Sequence, residues 1–382
     1  MNKQTEIKES TVLLMPDGNL ARPGYCKHNL FRYNPEMIKR ENTMRLKEWD
    51  YYQISDGNIM IQLNFFNISL ATCATFGLVN LKTGRKISGM ATELFTPHKN
   101  RLSKNGDVPN YTEYKRGGTK LIFDVRETER RLYFEGTASG KKVKFDVTCY
   151  KLPEHESITI ATPFNEQGCF FLTQKLNCLA TEGTVVAGNE KYTFTKDKTF
   201  TVLDWGRGVW PHTNTWYWGN GSTYLDGKLF GFELTWGFGD ESNATETAIF
   251  YDGKCHKIGA VHLEKDPEDD AGWMNEWHFI SEDGRLDLTM KPYYDHYTNL
   301  LPLNLFGMKT HQVHGLWSGK VVLDDGKVDS TDYNLIIYHS LGIETLTDDQ
   351  LAAADLNGDG VVDLSDASVL DLVMAGKYKA GE

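Results

Sequence analysis

Apolar and polar residues alternate through most of the chain up to about residue 320. The clearest example is KLIFDVRETERRLYFEGTASGKKVKFDVTCYKL, which begins at Lys120. Apolar residues there occupy every second position in three runs: Leu121, Phe123 and Val125; Leu132 and Phe134; and Val143, Phe145 and Val147. Because successive side chains of a β-strand point to opposite faces, this period predicts half-buried strands. With Ser139-Gly140 as a turn, the segment predicts an antiparallel meander.

Turn dipeptides separate the predicted strands. They are Asp17-Gly18, Asp56-Gly57, Asn220-Gly221, Asp226-Gly227, Asp252-Gly253 and Asp283-Gly284. Asn-Gly and Asp-Gly supply the positive φ angles that tight hairpins need, and no convincing amphipathic helix interrupts the pattern. Strands in such number must close into barrels or stack as a sandwich to avoid exposed edges. The expected fold class is therefore mainly β.

The period becomes helical after residue 326. Apolar residues recur at helical spacing in two segments, at Leu335, Ile336, Tyr338 and Leu341, and at Val369, Leu370, Val373 and Met374. Ser330 and Thr331 can cap the first of these helices and Ser365 the last. The β part is therefore expected to end near Asp325.

Composition narrows the choice of partners and compartment. The 382 residues carry a net charge of −11, which would repel nucleic acid and anionic membranes. No apolar run is long enough for a membrane span or a signal peptide, so the sequence predicts a cytoplasmic protein. Buried free thiols are expected, because the six cysteines lack short paired spacings: Cys26, Cys73, Cys149, Cys169, Cys178 and Cys255.

Residues 355–366, DLNGDGVVDLSD, have the spacing of a calcium-binding loop. Oxygen ligands fall at positions one, three, five, seven, nine and twelve, which are Asp355, Asn357, Asp359, Val361 (through its carbonyl), Asp363 and Asp366. Gly360 at position six allows the sharp turn that such a loop requires. The spacing predicts a calcium site, and Asp instead of Glu at position twelve is the one departure from the EF-hand pattern.

That departure, together with LTDDQLAAADLNGDGVVDLSDASVL and the upstream GKVDSTDYNLIIYHSLG, resembles a type I dockerin. The resemblance covers about the last sixty residues. It implies a duplicated loop–helix unit that binds calcium and docks onto a cohesin partner. The implied partner contacts are Ser330 and Thr331 in the first repeat and Leu364 and Ser365 in the second.

The first dockerin-like repeat departs from the family pattern. Val321 and Leu323 occupy its first two ligand positions, and neither can bind a hard cation. Only Asp325, Asp329 and Asp332 remain in that half. We therefore expect one good calcium site and one crippled or absent site. If the dockerin is functional and the N-terminus incomplete, the protein would be extracellular or on the cell surface.

The longer part of the chain resembles the bacterial family called domain of unknown function 2804. The similar stretches are RLKEWDYYQI (45–54), DWGRGVWPHTNTWYWGNG (204–221) and HQVHGLWSGKVVLDDG (311–326), within residues 10–326. This family is distantly similar to lipocalin-like carotenoid hydratases and tocopherol cyclases. The resemblance implies two β-barrel lobes, which we expect at residues 1–180 and 181–326, followed by the dockerin-like segment at 327–382.

The second stretch could form an apolar ligand site. It holds the candidate catalytic residues Asp204, Arg207 and His212, and five tryptophans lie in or near it, namely Trp205, Trp210, Trp216, Trp218 and Trp236. An aromatic wall can stabilise a developing carbocation while a neutral carboxylic acid protonates a double bond. Burial is what keeps such an acid neutral.

A structural interpretation of the same residues stays open. Tryptophans can close the end of a barrel, and an arginine stacked on them and paired with an aspartate can tie a strand end to a loop. Trp49 and Asp50 are expected to belong to such a scaffold. His311 and His314 are not expected to form a metal site, because the strand pattern around them argues against a helix.

Two functions follow from these alternatives. The first is a lipocalin-like protein that binds a hydrophobic small molecule, or converts it by acid-catalysed hydratase, cyclase or isomerase chemistry. The second is a carbohydrate-binding or carbohydrate-active module of a cohesin–dockerin assembly, in which the tryptophans stack on sugar rings. A deep apolar cavity would favour the first function, and a shallow aromatic platform the second.

Overall fold

The computed structural model describes residues 4–96, 102–264, 272–300 and 308–324, and in the C-terminal segment residues 351, 354, 357–363 and 365–369. Contacts divide the chain into two compact units, Met1–Val261 and His262–Glu382. The predicted division between residues 180 and 181 falls inside one long strand, Phe170–Ala187. The predicted boundary at residues 326 and 327 lies outside the described residues.

The first unit consists mostly of β-strands. In chain order they are β1 Thr11–Val12, β2 Gly24–Cys26, β3 Phe31–Arg32, β4 Leu46–Ser55, β5 Ile59–Asn67, β6 Ala71–Asn80, β7 Lys86–Leu94, β8 Asn110–Arg116, β9 Thr119–Val125, β10 Glu129–Ala138, β11 Lys141–Tyr150, β12 Ile158–Pro163, β13 Phe170–Ala187, β14 Glu190–Phe194, β15 Phe200–Val209, β16 Tyr217–Leu225, β17 Lys228–Trp236, β18 Ala248–Tyr251 and β19 Lys254–Lys257. Short 3-10 helices at Pro35–Met37 and Arg40–Arg45 precede β4.

The mainly β prediction is confirmed, and the predicted meander is β9, β10 and β11, paired antiparallel. One predicted turn is wrong. Asn220-Gly221 lies inside β16, because Gly221 sits under the ring of Phe232, where a Cβ atom would come within 2.6 Å of the ring carbons. The dipeptide therefore serves close packing in a strand rather than a turn.

Among the described residues, a thirteen-stranded sheet forms a nearly closed barrel. Its main order is β7-β6-β5-β4-β15-β13-β11-β10-β9-β8, with β12 and β14 also paired to β13, and β2 to β12. The edge strand β7 meets the turn after β10 where the amide of Ser139 donates to the carbonyl of Ser88 at 2.9 Å. Closure of this kind removes most exposed strand edge.

The barrel interior is packed by apolar side chains and by the segment that precedes β8. Arg130 donates to the carbonyl of Gly106 at 2.6 Å, and Arg207 donates to the carbonyl of Ser103 at 2.7 Å. The indole of Trp205 lies 3.4 Å from the hydroxyl of Ser103. Interior arginines therefore hold this segment as a plug, which we call the Ser103–Gly106 plug.

A second sheet, in the order β16-β17-β18-β19, packs on the outer face of β12 and β13. Its apolar contacts include Leu229 and Phe250 against Ile158 and Ala180. Strand β13 carries a bulge between Leu176 and Leu179, and Cys178 inside it has a positive φ of 60°. All six cysteines are buried and free, as predicted.

The second unit contains a four-stranded sheet in the order β20-β21-β22-β23. Its strands are β20 Val261–Leu263, β21 Trp277–Ser281, β22 Leu286–Leu300 and β23 Met308–Val321, and a 3-10 helix spans Gly272–Met274. Strand β23 contains His311 and His314, which lie on opposite faces because they are three residues apart. In the part of the chain that is described, no helix is long and apolar enough to cross a bilayer.

Candidate functional site

The predicted catalytic residues lie on different sides of the barrel sheet. In β15, Trp205 belongs to the interior core and Arg207 is fully buried on the same face. Asp204 points to the outer face, opposite Lys175 of β13, since neighbouring residues of a strand alternate. His212 is exposed in the segment between β15 and β16. Asp204, Arg207 and His212 therefore do not form one cluster.

Arg207 has the contacts of a structural residue. It donates to Asp50 at 2.8 Å and to the backbone carbonyls of Trp49 and Ser103 at 2.6 and 2.7 Å. Its guanidinium lies 4.0 Å from the centre of the Trp205 ring. Burial raises the pKa of Asp50, although the charge of Arg207 opposes this. The scaffold interpretation therefore describes Arg207 well, with Asp50 as its partner and the plug as the tied segment.

An aromatic cluster covers the outer face of the same sheet, and we define it as Trp49, Phe171, Trp210, Trp216 and Phe238. Trp49 and Phe171 are stacked at 5.7 Å, and Trp210 lies 5.1 Å from Trp49 and 6.0 Å from Trp216. Phe238 completes the cluster, 4.9 Å from Trp210 and 5.5 Å from Trp216.

Two glycines of β15 make room for this aromatic cluster. Gly206 lies directly under the Trp49 ring, and a Cβ atom on Gly208 would come within 2.7 Å of the Trp210 indole nitrogen. Side chains at these positions would displace the rings. The motif DWGRGVW therefore uses its glycines to seat tryptophans against the sheet.

The remaining predicted tryptophans separate onto two faces of the second sheet. Trp236 stacks on Tyr217, with ring centres 4.8 Å apart and planes 4° from parallel. Trp218 points to the opposite face, toward the barrel sheet, and contacts Tyr51 edge-on at 6.2 Å. The five predicted tryptophans therefore do not line one wall, and Trp218 adjoins a polar cluster instead.

A buried lysine organises that polar cluster between the two sheets. The ammonium of Lys175 contacts Asp204 at 2.5 Å, Glu246 at 3.2 Å and the hydroxyl of Thr173 at 3.1 Å. Burial alone lowers the pKa of Lys175, but the charges of Asp204 and Glu246 outweigh this and raise it. Lys175 is therefore a permanent cation, and all three of its N–H groups have acceptors.

Glu233 of β17 lies fully buried beside this ion-pair cluster. It accepts hydrogen bonds from the Trp218 indole at 2.6 Å and from the Asn177 side chain at 2.8 Å. Burial raises its pKa to about 8, although Lys175 and these two donors act in the opposite direction. Glu233 is therefore mostly protonated at neutral pH. It is the kind of neutral buried acid that the predicted acid catalysis requires.

The bulge in β13 aims Asn177 at this acid. The Asn177 amide also donates to the carbonyl of Phe232 at 3.0 Å, and its oxygen accepts from Cys178 and Ser222. A positive φ at the non-glycine Cys178 costs about 1 kcal/mol or more, and such strain is often found near functional sites. The bulge therefore fixes the donor that orients the Glu233 carboxyl group.

Sequence analysis missed Lys175, Glu233 and Glu246. In KLFGFELTW and FFLTQKLNCLA, a charged residue stands within an otherwise apolar strand. That signal was available, because a charge among apolar residues on a strand often marks a buried polar contact. Alternation alone placed these side chains in solvent.

Half-buried polar side chains continue from Trp218 along the outer face of β4 and β5. Gln62 donates to the Tyr51 hydroxyl at 2.8 Å, and that hydroxyl lies 3.3 Å from the side-chain oxygen of Gln53. Gln53 in turn donates to Asn220 of β16 at 3.4 Å. Glu233 therefore lies between these polar side chains on one side and the aromatic cluster on the other.

The family model described as domain of unknown function (DUF2804) matches residues 4–332. The chain belongs to this family. A second family model, described as the dockerin type I domain, matches residues 322–372 of this DUF2804 protein. No curated protein matches the chain.

Three solved structures share a general similarity with this DUF2804 protein. CghA with Sch210972 is 12% identical over 73% of this chain and 82% of that chain, with a TM-score of 0.43. Kievitone hydratase from Nectria haematococca is 13% identical over 65% and 76%, with a TM-score of 0.38. A protein assigned as AttH from Nitrosomonas europaea is 11% identical over 68% and 83%, with a TM-score of 0.40. At these TM-scores, none of them bears on the site residues.

The dockerin match includes the predicted calcium loop. Gly358 and Gly360 adopt positive φ angles, and the Asp366 carboxylate accepts from the amides of Asn357 and Asp363 at 3.1 and 3.0 Å. The oxygens of Asn357, Asp359, Asp363 and Asp366 suit a hard cation, so the residues present fit calcium. Among the described residues, no three His, Cys, Asp or Glu side chains come together as a metal site.

Several predicted dockerin residues lie outside the described part of the chain. These are Asp355, Leu364, Ser330 and Thr331. Ser365 is described, is exposed at the start of a short helical stretch, and donates its amide to Asp363 at 2.7 Å. A dockerin type I domain is a calcium-binding module that implies a cohesin partner.

Proposed function

We propose that this protein binds a hydrophobic small molecule against the aromatic cluster and acts on it by acid–base chemistry at Glu233 and Asp204. The dockerin segment then attaches this unit to a cohesin when calcium is bound. The observation that carries the proposal is the fully buried Glu233 carboxyl group, which accepts hydrogen bonds from Trp218 and Asn177.

Apolar and acidic groups adjoin each other on one face of the sheet. Asp204 and Lys175 pair across β15 and β13, and the next outward-facing residues along β15 are Gly206 and Gly208, under the rings of Trp49 and Trp210. Successive outward positions of a strand are about 7 Å apart. A molecule lying on the aromatic cluster would therefore reach the acidic groups with one end.

The two carboxyl groups differ in their partners, which suits them to different roles: Asp204 pairs with Lys175, whereas Glu233 accepts from Trp218 and Asn177. Glu233 keeps a proton at neutral pH and can donate it to a carbon–carbon double bond. Asp204 is held by Lys175 and can accept a proton from the water that adds, or from a neighbouring carbon in an isomerisation. Solvent exchange then returns the proton from Asp204 to Glu233. Such an acid–base pair supports hydration, cyclisation or isomerisation.

Trp218 has a positioning role in this scheme. The Lys175 ammonium lies 4.9 Å from the centre of its ring, so the ring already interacts with a cation. A developing carbocation would be better stabilised by the aromatic cluster. Trp218 instead orients the acid, because its indole donates to Glu233.

Mass spectrometry of small molecules retained on the purified full-length protein tests this proposal. Glu233→Gln should still retain a ligand but accumulate the unconverted form, because the amide keeps the shape and cannot protonate it. Trp216→Ala should lose retention, since Trp216 is 38% exposed and contributes a ring without being core. The exposed Glu127→Gln is the matched control. Unchanged retention and unchanged ligand identity in both site variants would refute the assignment.

The alternative is a carbohydrate-binding or carbohydrate-active module. The dockerin match favours it, because dockerins attach modules to cohesin assemblies. Two carboxyl groups also suit glycoside hydrolysis when one is protonated. Binding of soluble polysaccharides by the wild type and its loss in Trp216→Ala, with no apolar molecule retained, would support this second function.

A further inference from the structure

One face of the sheet in the second unit carries an unbroken row of aromatic rings. These rings belong neither to the dockerin segment nor to the site proposed around Glu233. By register, Trp277 and Phe279 share a face with Trp317, and the bulge between Pro292 and Tyr294 keeps Tyr297 and His311 on it. Successive ring centres are 5.0 Å apart for Phe279 and Trp317, 6.1 Å for Trp277 and Phe279, 5.7 Å for Trp273 and Trp277, 3.9 Å for Trp273 and His311, and 4.5 Å for Tyr297 and His311.

The row is half-buried. Phe279 belongs to the core, but Trp273, Trp277 and Trp317 are partly accessible, and Tyr297 is 47% exposed. Such a row offers stacking surface to a flat molecule. The ring row therefore exposes aromatic surface that is not used in packing the core.

A histidine–aspartate pair stands at one end of the ring row. His311 Nδ1 lies 2.7 Å from Asp295 Oδ2, and the side chains are 15% and 18% exposed. Trp273 stacks on the imidazole with planes 3° from parallel, which fixes the ring orientation. Because a carboxylate only accepts hydrogen bonds, Nδ1 carries the proton of this bond, and in the neutral form of the imidazole Nε2 presents a lone pair.

A second acceptor belongs to the aspartate that holds this imidazole. Asp295 Oδ1 is buried, and within the described part of the chain it has no hydrogen-bond partner. A buried unpaired acceptor is costly, so it favours a ligand that brings a donor. A ligand that brings a hydrogen-bond donor, such as a hydroxyl, is therefore suited to this end of the ring row.

We propose that this face binds a flat, conjugated molecule of the phenol class, whose rings stack along the tryptophans and whose hydroxyl donates to His311 Nε2. The site goes beyond the proposed function, since it uses other residues in the other unit. His311 is its specificity-determining residue, and Asp295 is the positioning residue that holds the imidazole proton on Nδ1.

Isothermal titration of the full-length protein with 2-naphthol and 2-methoxynaphthalene tests this site, because the two probes share the rings and the oxygen but only the first has a donor. The wild type should prefer 2-naphthol by about tenfold, as expected for a hydrogen bond worth about 1.4 kcal/mol. His311→Phe should remove the preference and keep the weaker binding. His314→Phe, on the opposite face of β23, is the matched control.

Equal affinity for the two probes, no binding of either, or a preference that survives in His311→Phe would overturn the proposal. So would an equal loss in His314→Phe.

If His311→Phe does not fold by circular dichroism, Asp295→Asn replaces it, and its preference should fall because the amide lacks the charge that fixes the tautomer. A preference fully kept in Asp295→Asn would count against the site. Glu233→Gln should leave the preference unchanged, which separates this site from the proposed acid.

Discussion

Glu233→Gln should make the first unit more stable at alkaline pH, even though it alters a fully buried residue. In the wild type, the pKa of Glu233 is about 8 in the folded state against an ordinary value of 4.5. Between these values the unfolded chain has lost the proton and the folded chain keeps it. Folded stability therefore falls as pH rises through this window and levels off above about 8.

The size of the effect follows from the width of that window. Each pH unit costs about 1.4 kcal/mol, so the full window of about 3.5 units costs on the order of 5 kcal/mol. Glutamine does not titrate, and the hydrogen bond that its NH₂ group cannot accept at this site costs the same at every pH. The difference in unfolding free energy between Glu233→Gln and wild type should therefore grow by about 1.4 kcal/mol per pH unit between pH 4.5 and 8.

Urea unfolding followed at several pH values measures this difference. Comparing the two proteins at each pH removes the contributions of titrating groups that do not interact with Glu233. Glu127→Gln, at an exposed position, should give a constant difference from wild type. A difference for Glu233→Gln that is equally constant with pH would refute a protonated buried Glu233, and with it the proposed acid.

Two other outcomes are expected from the structure. Arg207→Met should destabilise the first unit by about 3 to 5 kcal/mol in urea unfolding. The reason is that Asp50 would lose its buried partner and the Ser103–Gly106 plug would lose one of its hydrogen-bond donors. A change below about 1 kcal/mol would contradict the structural role of Arg207. Calorimetric titration with calcium should show one strong site that Asp359→Ala abolishes. The β-sheets should stay folded without calcium. Two sites of equal strength would contradict the prediction that the first dockerin-like repeat binds calcium poorly or not at all.

Local patterns predicted the parts of this fold that depend on neighbours in sequence. The meander of β9, β10 and β11 followed from a period of two, and the predicted strand around His311 and His314 is β23. The scaffold interpretation of Asp50 agrees with its contact to Arg207. In each case the side chain's direction is set by its own strand, which the sequence reports directly.

The polar cluster could not be predicted in the same way, because it depends on which sheet covers which face. Asp204 is outward-facing on the barrel and would be in solvent if the second sheet did not pack there. Lys175 and Glu233 lie 58 residues apart in the printed sequence and meet only through that packing. The sequence pattern shows alternation, but it does not show that both faces of a strand are buried.

Competition for a single ammonium decides which carboxyl groups of this cluster form an ion pair. The three N–H groups of Lys175 are taken by Asp204, Glu246 and Thr173, so Glu233 receives no direct ion pair from it. What Glu233 receives instead are neutral donors, from Trp218 and from the amide that the β13 bulge presents. Neutral donors stabilise a carboxylate less than an ammonium does, so burial prevails and the proton stays. The same bulge that strains Cys178 thus presents a neutral donor to Glu233, whose pKa burial raises, and this is the kind of buried acid that acid–base chemistry needs.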